Sequence, residues 1–355
     1  MQKVILINEM DYEIPDIQGY MAGDEDYPVT DLGILRAKIT KTDLPSTEDP
    51  VILTSPLQRC RMAAEEVFGS AEEEEDLRDA HLGLWQGCGL DEIQEKWPKE
   101  YKEWLYNPVM LPPEAETFEH RAQRLENVLL RTLQSHSGDV VVFTHSGIIV
   151  PFLSRLQQIP EDKMTSVRIP YGAVSQLEWD GSSLQVISTG EQIIPELSEQ
   201  LEQLILDHYN VSDTERQRCR TVGEIAYELA DRLSETGLLL DADTVRWAAR
   251  LQSIGGTDPS GAETGSRILE TMGYPDEAFA VLNHIDLFFR SIINEAVVLY
   301  LANRQVPDKE VLPFPEVFRR DRECSDSTTE DRIAQDTVII NMINTLYGED
   351  LLPLE

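Results

Sequence analysis

His145 is the residue whose neighbours in the sequence point most directly to chemistry. It follows Val140 to Phe143, a run of β-branched and aromatic residues typical of a strand covered on both faces. Ser146 and Gly147 predict a turn, and residues 148–156 continue with helical spacing. The histidine would then lie at the carboxyl end of a strand and beside a helix N-terminus, where open α/β sheets bind anions and ligands. A lone histidine in such a place can also cap the helix or pack in the core.

The elements around His145 alternate between short apolar strands and helices. Strands are predicted at residues 3–7, 51–54, 140–143, 174–179 and 184–188. Helices are predicted to begin at Thr30 and Ser55 and to cover residues 91–108 and 117–135. This alternation predicts an α/β fold with a mostly parallel sheet and helices on both faces.

The second half of the chain is predicted to be all-α. Apolar residues recur three and four positions apart in residues 196–206, 216–233, 241–254, 262–272, 276–283 and 291–303. We therefore predict two domains, residues 1–190 and 191–355, with the connection in residues 192–195.

The charge of the chain limits its partners. The formal net charge is −35. Residues 1–190 carry 16 Lys or Arg against 33 Asp or Glu, and residues 191–355 carry 14 against 32, so the acidity is spread over both halves. Such a chain would be repelled by nucleic acids and by anionic membranes. With no apolar run of membrane-spanning length and four scattered cysteines, we expect a cytoplasmic protein with reduced thiols.

Five segments of the first half carry motifs in a fixed order. They are Tyr27–Gly33, Ser55–Glu65, Leu77–Gly87, Pro113–Glu116 and Thr144–Gly147. In type and order these segments resemble the motifs of the histidine phosphatase (phosphoglycerate mutase-like) superfamily. The resemblance covers residues 1–190 and implies that family's α/β fold.

The resemblance also implies roles for particular residues. In this family a histidine in an Arg-His-Gly motif attacks phosphorus, two arginines and a second histidine hold the phosphoryl oxygens, and a carboxylic acid protonates the leaving group. Carried over, it implies that Arg59 and His145 hold phosphate and that Asp79 is the acid, with Asn8 and Glu116 among the substrate-binding positions. Phosphoryl transfer depends on positioning and charge neutralisation, so such a site needs concentrated positive charge.

The chain departs from the family at the nucleophile. The Arg-His-Gly position reads Asn8-Glu9-Met10, so Glu9 replaces the nucleophilic histidine and Asn8 replaces a phosphate-binding arginine. A carboxylate close to a phosphate dianion is repulsive in a partly buried site. A glutamate can form an acyl phosphate in principle, but only with the cationic pocket that these changes reduce.

Two interpretations of this cleft remain open. In the first, which we favour, Arg59 and His145 pair with Glu9 and Asp79 as an ion-paired remnant of the family's site. In the second, carboxylates at Glu9, Asp11, Asp79 and Glu116 join His145 to take a cation or a ligand with a basic group. No spacing in the sequence specifies a metal site of this kind.

The helical half resembles a second family, the HD phosphohydrolases, over residues 191–320. The resembling stretches are Arg218–Ala226, Val245–Gly255, Gly265–Pro275, Val281–Asp286 and Asn294–Asn303. In that family His, His-Asp and Asp bind a metal.

At the corresponding positions this chain has Arg218, Gln252, Ser253 and Asn303. Arginine cannot bind a metal, and the other three offer only weak neutral oxygens. The resemblance therefore implies the HD helical scaffold without its metal.

Both halves thus resemble hydrolases that have lost central chemistry. The sequence favours a pseudoenzyme with a regulatory, scaffolding or ligand-binding role, no cofactor, and an unknown small ligand or protein as partner; oligomers are possible. The alternative is a phosphatase or phosphotransferase for a small phosphorylated metabolite, using Glu9 or direct attack by water with Arg59, His145 and Asp79.

We predict that the helical half binds no transition metal, because none of its four HD ligand positions carries a strong metal ligand. Elemental analysis of protein purified without chelator should find no stoichiometric metal. A stoichiometric metal lost on deletion of residues 191–355 would contradict this prediction.

Overall fold

The computed structural model describes residues 1–107, 109–258, 260–284, 293–307, 310–324, 329–347 and 352. The chain divides into two units, Met1–Pro195 and Glu196–Glu355, and each is described by itself.

A six-stranded mixed sheet forms the centre of the first unit. Its strands are β1 (Gln2–Asn8), β2 (Val51–Thr54), β3 (Glu72–Glu73), β4 (Val140–Thr144), β5 (Val174–Trp179) and β6 (Leu184–Glu191), in the order β3-β2-β4-β1-β5-β6. The pairs β3–β2, β2–β4 and β4–β1 are parallel. The pairs β1–β5 and β5–β6 are antiparallel. The short edge strand β3 lies in an acidic run that the sequence pattern predicts as an exposed loop.

Six α-helices surround this sheet among the described residues of the first unit. They are α1 (Asp31–Asp43), α2 (Gln58–Phe68), α3 (Leu90–Lys96), α4 (Pro98–Tyr106), α5 (Phe118–Ser135) and α6 (Ser146–Leu156). Alternate side chains of each strand point to opposite faces, so Val4 and Leu6 pack with α5 and α6 while Ile5 and Ile7 pack with α1 and α2. The prediction of an α/β fold with helices on both faces is confirmed.

Backbone hydrogen bonds fix the end of β1, where the candidate site begins. The Glu9 N–H donates to the Thr144 carbonyl at 2.8 Å, and the Glu9 carbonyl accepts from the Gly172 N–H at 3.0 Å. Gly172 has φ +68°, and a Cβ there would lie 2.4 Å from the Arg36 side chain. A glycine is needed at this turn because of both its conformation and its close contacts.

The second unit is helical throughout its described residues. Its helices are α7 (Glu199–His208), α8 (Asp213–Ser234), α9 (Ala242–Leu251), α10 (Gly261–Met272), α11 (Pro275–Asn283), α12 (Glu295–Gln305), α13 (Phe314–Cys324) and α14 (Thr329–Tyr347). Residues 291 and 292, with which a helix was predicted to begin, lie outside the described residues. Among the helices described, none has the length and hydrophobicity to cross a membrane.

Replacing Leu6 by alanine should strongly destabilise the first unit. Leu6 is a fully buried residue of β1 that packs against α5 and α6. Truncating a buried leucine to alanine typically lowers the free energy of unfolding by about 2–5 kcal/mol. Urea denaturation of Leu6→Ala should show this loss, whereas Ile187→Ala, at a side chain that is 57% exposed, should be close to wild type. Equal losses in the two variants would mean that this face of the sheet is not tightly packed.

Candidate ligand-binding cleft

The cleft lies at the carboxyl ends of three neighbouring parallel strands. Thr54, Thr144 and Asn8 end β2, β4 and β1, which are adjacent in the sheet. The register pairs Asn8 with Thr144. The residues that follow these strands therefore converge, and His145 and Glu9 are brought together although they are far apart in the sequence.

One carboxylate oxygen binds the two basic side chains of this site. The Glu9 Oε2 atom accepts a hydrogen bond from Arg59 Nε at 2.5 Å and contacts His145 Nδ1. Arg59 and His145 are fully buried, and only 4% of Glu9 is exposed. Glu9 thus accepts from both partners, as the first interpretation of the cleft expects.

Arg59 has partners on every side. Its Nη1 donates to the Glu25 carbonyl at 2.7 Å, and its Nη2 donates to the Gly23 carbonyl at 2.8 Å and to Asp79 Oδ2 at 3.3 Å. The guanidinium also lies over the Tyr12 ring, 4.6 Å from its centroid. An incoming anion could bind this arginine only by displacing one of these groups.

The second nitrogen of His145 is held as firmly as the first. His145 Nε2 lies 2.9 Å from Ser55 Oγ, and the Cys60 sulfur lies 3.5 Å from the same nitrogen. His145 is also the N-cap residue of α6, but its side chain makes no capping hydrogen bond. The imidazole is therefore oriented by the carboxylate on one side and by the serine on the other.

The two acidic residues of the cleft differ in their pKa. Burial disfavours the charged form of Glu9, but His145 and Arg59 outweigh burial and lower the pKa of its carboxyl. Burial and the nearby Glu9 charge raise the pKa of Asp79, against the opposing effects of His145 and Arg59. The folded protein therefore stabilises the charged form of Glu9 and destabilises the charged form of Asp79.

Comparison with known proteins identifies the family of the first unit. The family model of the histidine phosphatase superfamily (branch 1) matches residues 15–192. The chain belongs to the histidine phosphatase superfamily. The matched segment begins after Glu9, so the position where this chain departs from the family's motif lies outside it.

Phosphatases with known names are similar to part of this chain. The adenosylcobalamin/alpha-ribazole phosphatase of Escherichia coli is 23% identical over 169 residues, which cover 46% of this chain and 83% of that protein. The metal-independent phosphoserine phosphatase of Arabidopsis thaliana is 29% identical over 151 residues, covering 40% of this chain and 62% of that protein. Among solved structures, YhfR of Bacillus stearothermophilus is similar with a TM-score of 0.49 and 26% identity, covering 54% of this chain and 98% of that one.

Two other residues expected from the superfamily resemblance have partners elsewhere. Asn8 Nδ2 donates to the carbonyls of Ile169 and Pro170, at 3.0 and 2.8 Å, and so ties a loop to the end of β1. Glu116 is bound by Arg124, whose Nε and Nη2 lie 2.6 and 2.9 Å from its two oxygens. Asn8 lines the cleft, whereas the Glu116 carboxylate is neutralised by α5.

Only some of the residues named in the cation-binding interpretation lie close together. Ligand atoms of Glu9, Asp79 and His145 lie within 4.8 Å of one another, which would suit a metal ion. The Arg59 guanidinium, however, already contacts both carboxylates. Asp11 pairs with Arg36 at 2.7 Å. The position of a cation between the two cleft carboxylates is thus taken by a side chain of the protein itself.

The sequence interpretation gave no role to three residues of the cleft, Tyr12, Arg121 and Tyr171, which line a cavity of about 490 Å³. The two tyrosine rings meet edge to face at 5.8 Å, and burial together with the Glu9 charge raises the pKa of both. A signal for Arg121 was present, because it occupies a position of the apolar stripe of α5 where a hydrophobic residue is expected.

In the helical unit, the four residues that the sequence resemblance places at HD ligand positions are joined by hydrogen bonds through Glu215. Arg218 Nη1 donates to Asn303 Oδ1 at 3.0 Å, and Asn303 Nδ2 donates to Gln252 Oε1 at 2.8 Å. Ser253 Oγ donates to Glu215 Oε1 at 2.7 Å, and the same carboxylate pairs with Arg218. A guanidinium in this position cannot serve as a metal ligand, so these residues do not fit the HD metal.

Replacing Asp79 by asparagine should stabilise the first unit at neutral pH. Because the folded state raises the pKa of Asp79, ionising this carboxyl costs more in the folded than in the unfolded chain, and wild-type stability falls as the pH rises through the folded pKa. An asparagine at this position would keep an acceptor for Arg59 without that cost.

Denaturation of Asp79→Asn and wild type across acidic to neutral pH should therefore show a gain that grows with pH. The exposed position Asp16 supplies the control, since Asp16→Asn removes the same charge from the surface. A loss of stability in Asp79→Asn that is constant over this pH range would contradict the prediction.

Proposed function

We propose that this chain is a two-domain pseudoenzyme, in which a histidine phosphatase domain that has lost phosphoryl transfer is joined to a degenerate HD-like helical domain. The observation that carries the proposal is the pairing of both Arg59 and His145 with one oxygen of Glu9. In the family these two positions hold the phosphoryl group, and here they hold a carboxylate of the chain. The cleft therefore binds a ligand without hydrolysing a phosphate ester.

Electrostatics supports the loss of phosphatase activity. Two unit charges about 4 Å apart repel by about 4 kcal/mol at the effective dielectric constant of a protein surface. A phosphate near Arg59 would have to share that guanidinium with the carboxylates of Glu9 and Asp79, which already contact it. Asn8 supplies no positive charge in compensation, and its amide donors are used by the loop carbonyls.

The HD-like nature of the helical domain is supported by the meeting in space of residues from distant segments. Arg218, the adjacent pair Gln252 and Ser253, and Asn303 come from three distant segments, yet hydrogen bonds join them to one another and to Glu215. Three segments chosen by resemblance alone would not be expected to meet in an unrelated helical fold. The domain keeps the HD arrangement while an ion pair, Arg218 with Glu215, replaces the metal.

A regulatory or scaffolding role fits these features better than catalysis. The open cleft of the first unit is large enough for a small molecule. Both former reaction centres are filled by pairs of charged side chains of the chain itself, and each domain retains its core. Selection for binding surfaces, with a small ligand or a protein as partner, explains why both scaffolds persist without their chemistry, and no cofactor is required.

The alternative of a modified phosphatase has a specific observation in its favour. The named relatives are phosphatases, and Arg59, Asp79 and His145 still lie together at the cleft. In that case Glu9 would be the nucleophile, or water would attack phosphorus directly. The experiments below separate this alternative from the pseudoenzyme.

Replacing Glu9 by glutamine should allow the cleft to bind phosphate. In Glu9→Gln the negative charge beside Arg59 and His145 is gone, so an added anion can take its place. We expect the affinity of the protein for phosphate or vanadate to rise about tenfold or more. The matched control is Glu13→Gln, which removes the same charge from an exposed position nearby. Isothermal titration of wild type and both variants is the measurement, after circular dichroism has shown that each is folded. Wild-type affinity equal to that of Glu9→Gln would mean that Glu9 does not block the anion site.

Wild-type protein should show negligible turnover of phosphoserine and p-nitrophenyl phosphate. The assay is run beside Glu9→Ala, which removes the carboxylate at the family's nucleophile position. Robust turnover that is lost in Glu9→Ala would refute the pseudoenzyme and establish the glutamate-dependent alternative. Turnover that persists in the variant and is lost in Asp79→Asn would instead support attack by water.

A further inference from the structure

Beside the cleft, the N-terminus of α6 borders a second cavity in the first unit. This cavity has a volume of about 530 Å³. It shares Arg121, Ser146, Gly147, Ile169 and Pro170 with the lining of the cleft. The neighbouring spaces therefore meet at one arginine and at the first residues of one helix.

Arg121 is a buried cation with an unused donor. Only 5% of the residue is exposed, and its Nε donates to the Glu116 carbonyl at 3.0 Å. The guanidinium lies over the Phe118 ring, 5.0 Å from the centroid. Its Nη2 is buried and has no hydrogen-bond partner among the described residues. An arginine stays charged in a protein, so an unmatched donor of this kind is costly unless a ligand accepts from it.

The helix N-terminus adds a second preference for negative charge. α6 is eleven residues long and has no side-chain cap. The first amides of an α-helix have no acceptor within the helix, and the helix dipole places partial positive charge there. Ser146 and Gly147, which carry these first amides, line both cavities with Arg121.

Away from Arg121, most residues that line the second cavity are apolar. They are Val109, Phe118, Val150, Pro151, Met164 and Val167, beside the shared Ile169 and Pro170; the lining also includes the exposed Thr165 and Arg168. The apolar residues suit a hydrocarbon or aromatic group. The charged Arg121 and the apolar residues together favour an amphipathic ligand.

We propose that Arg121 and the N-terminus of α6 bind the carboxylate of a small organic acid whose apolar body occupies the second cavity. The proposal rests on the proposed function, because it names the ligand class of a cleft that binds without hydrolysing. A singly charged carboxylate suits the site better than a phosphate dianion, since Asp79 and Glu9 line the same cleft. The position is distinct from Arg59 and His145, which are already paired with Glu9.

The test uses phenylacetate as the acid and phenylacetamide as its uncharged counterpart, titrated into the full-length chain by calorimetry. Wild type should bind phenylacetate, and phenylacetamide should bind about tenfold more weakly or worse, because only the acid pairs with the guanidinium. Arg121→Gln should lose the preference for the acid. Arg131→Gln is the matched control, because Arg131 lies on the same helix with an exposed side chain that pairs with Glu74.

A second variant keeps the test decisive if Arg121→Gln does not fold. Val150→Phe narrows the apolar cavity without changing charge, and it should weaken binding of both probes. Absence of phenylacetate binding to folded wild type at millimolar concentration, equal binding of acid and amide, or unchanged binding in both variants would overturn the proposal. Phosphatase turnover by wild type would instead refute the proposed function while leaving the carboxylate site in place, so the two failures are distinguishable.

Discussion

A single carboxylate oxygen sets the character of the phosphatase-like cleft. On the function proposed here, Glu9 stands where the family has its nucleophilic histidine. Its Oε2 contacts both Arg59 and His145. A buried arginine would be unstable without a counter-charge, and the glutamate supplies that charge within the chain. In that proposal, Glu9 both replaces the nucleophile and fills the place of the anion that the pocket would otherwise attract.

The helical unit follows the same physical rule with different groups. Here Arg218 supplies the positive charge and Glu215 neutralises it. Neutral side chains at Gln252 and Asn303 complete the hydrogen bonds. A degenerate site that kept acidic ligands without the metal would be destabilised by their repulsion. Each unit thus contains an ion pair formed within the chain, Arg59 with Glu9 in the first and Arg218 with Glu215 in the second.

One buried polar group near the cleft of the first unit has an unsatisfied hydrogen-bond donor. Arg121 lies on the apolar stripe of α5, where a leucine would pack without a desolvation cost, and one of its nitrogens has no partner among the described residues. Buried cations of this kind are retained when a ligand or a solvent molecule satisfies them. The first unit therefore combines an arginine neutralised within the chain, Arg59, with a nearby buried arginine that has an unsatisfied donor, Arg121.

The sequence by itself determined the strands β1, β2, β4, β5 and β6, because a buried strand appears in the sequence as a short apolar run between turn residues. It also determined that Glu9, Arg59 and His145 belong to one site, because ordered motifs carry that information. Only the tertiary structure decided that one oxygen of Glu9 serves both basic groups and that Glu116 is held by α5. The edge strand Glu72–Glu73 and the unpartnered Nη2 of Arg121 also emerged only there. Exposed acidic residues carry no strand pattern, and an unmet hydrogen bond depends on distances between segments remote in sequence.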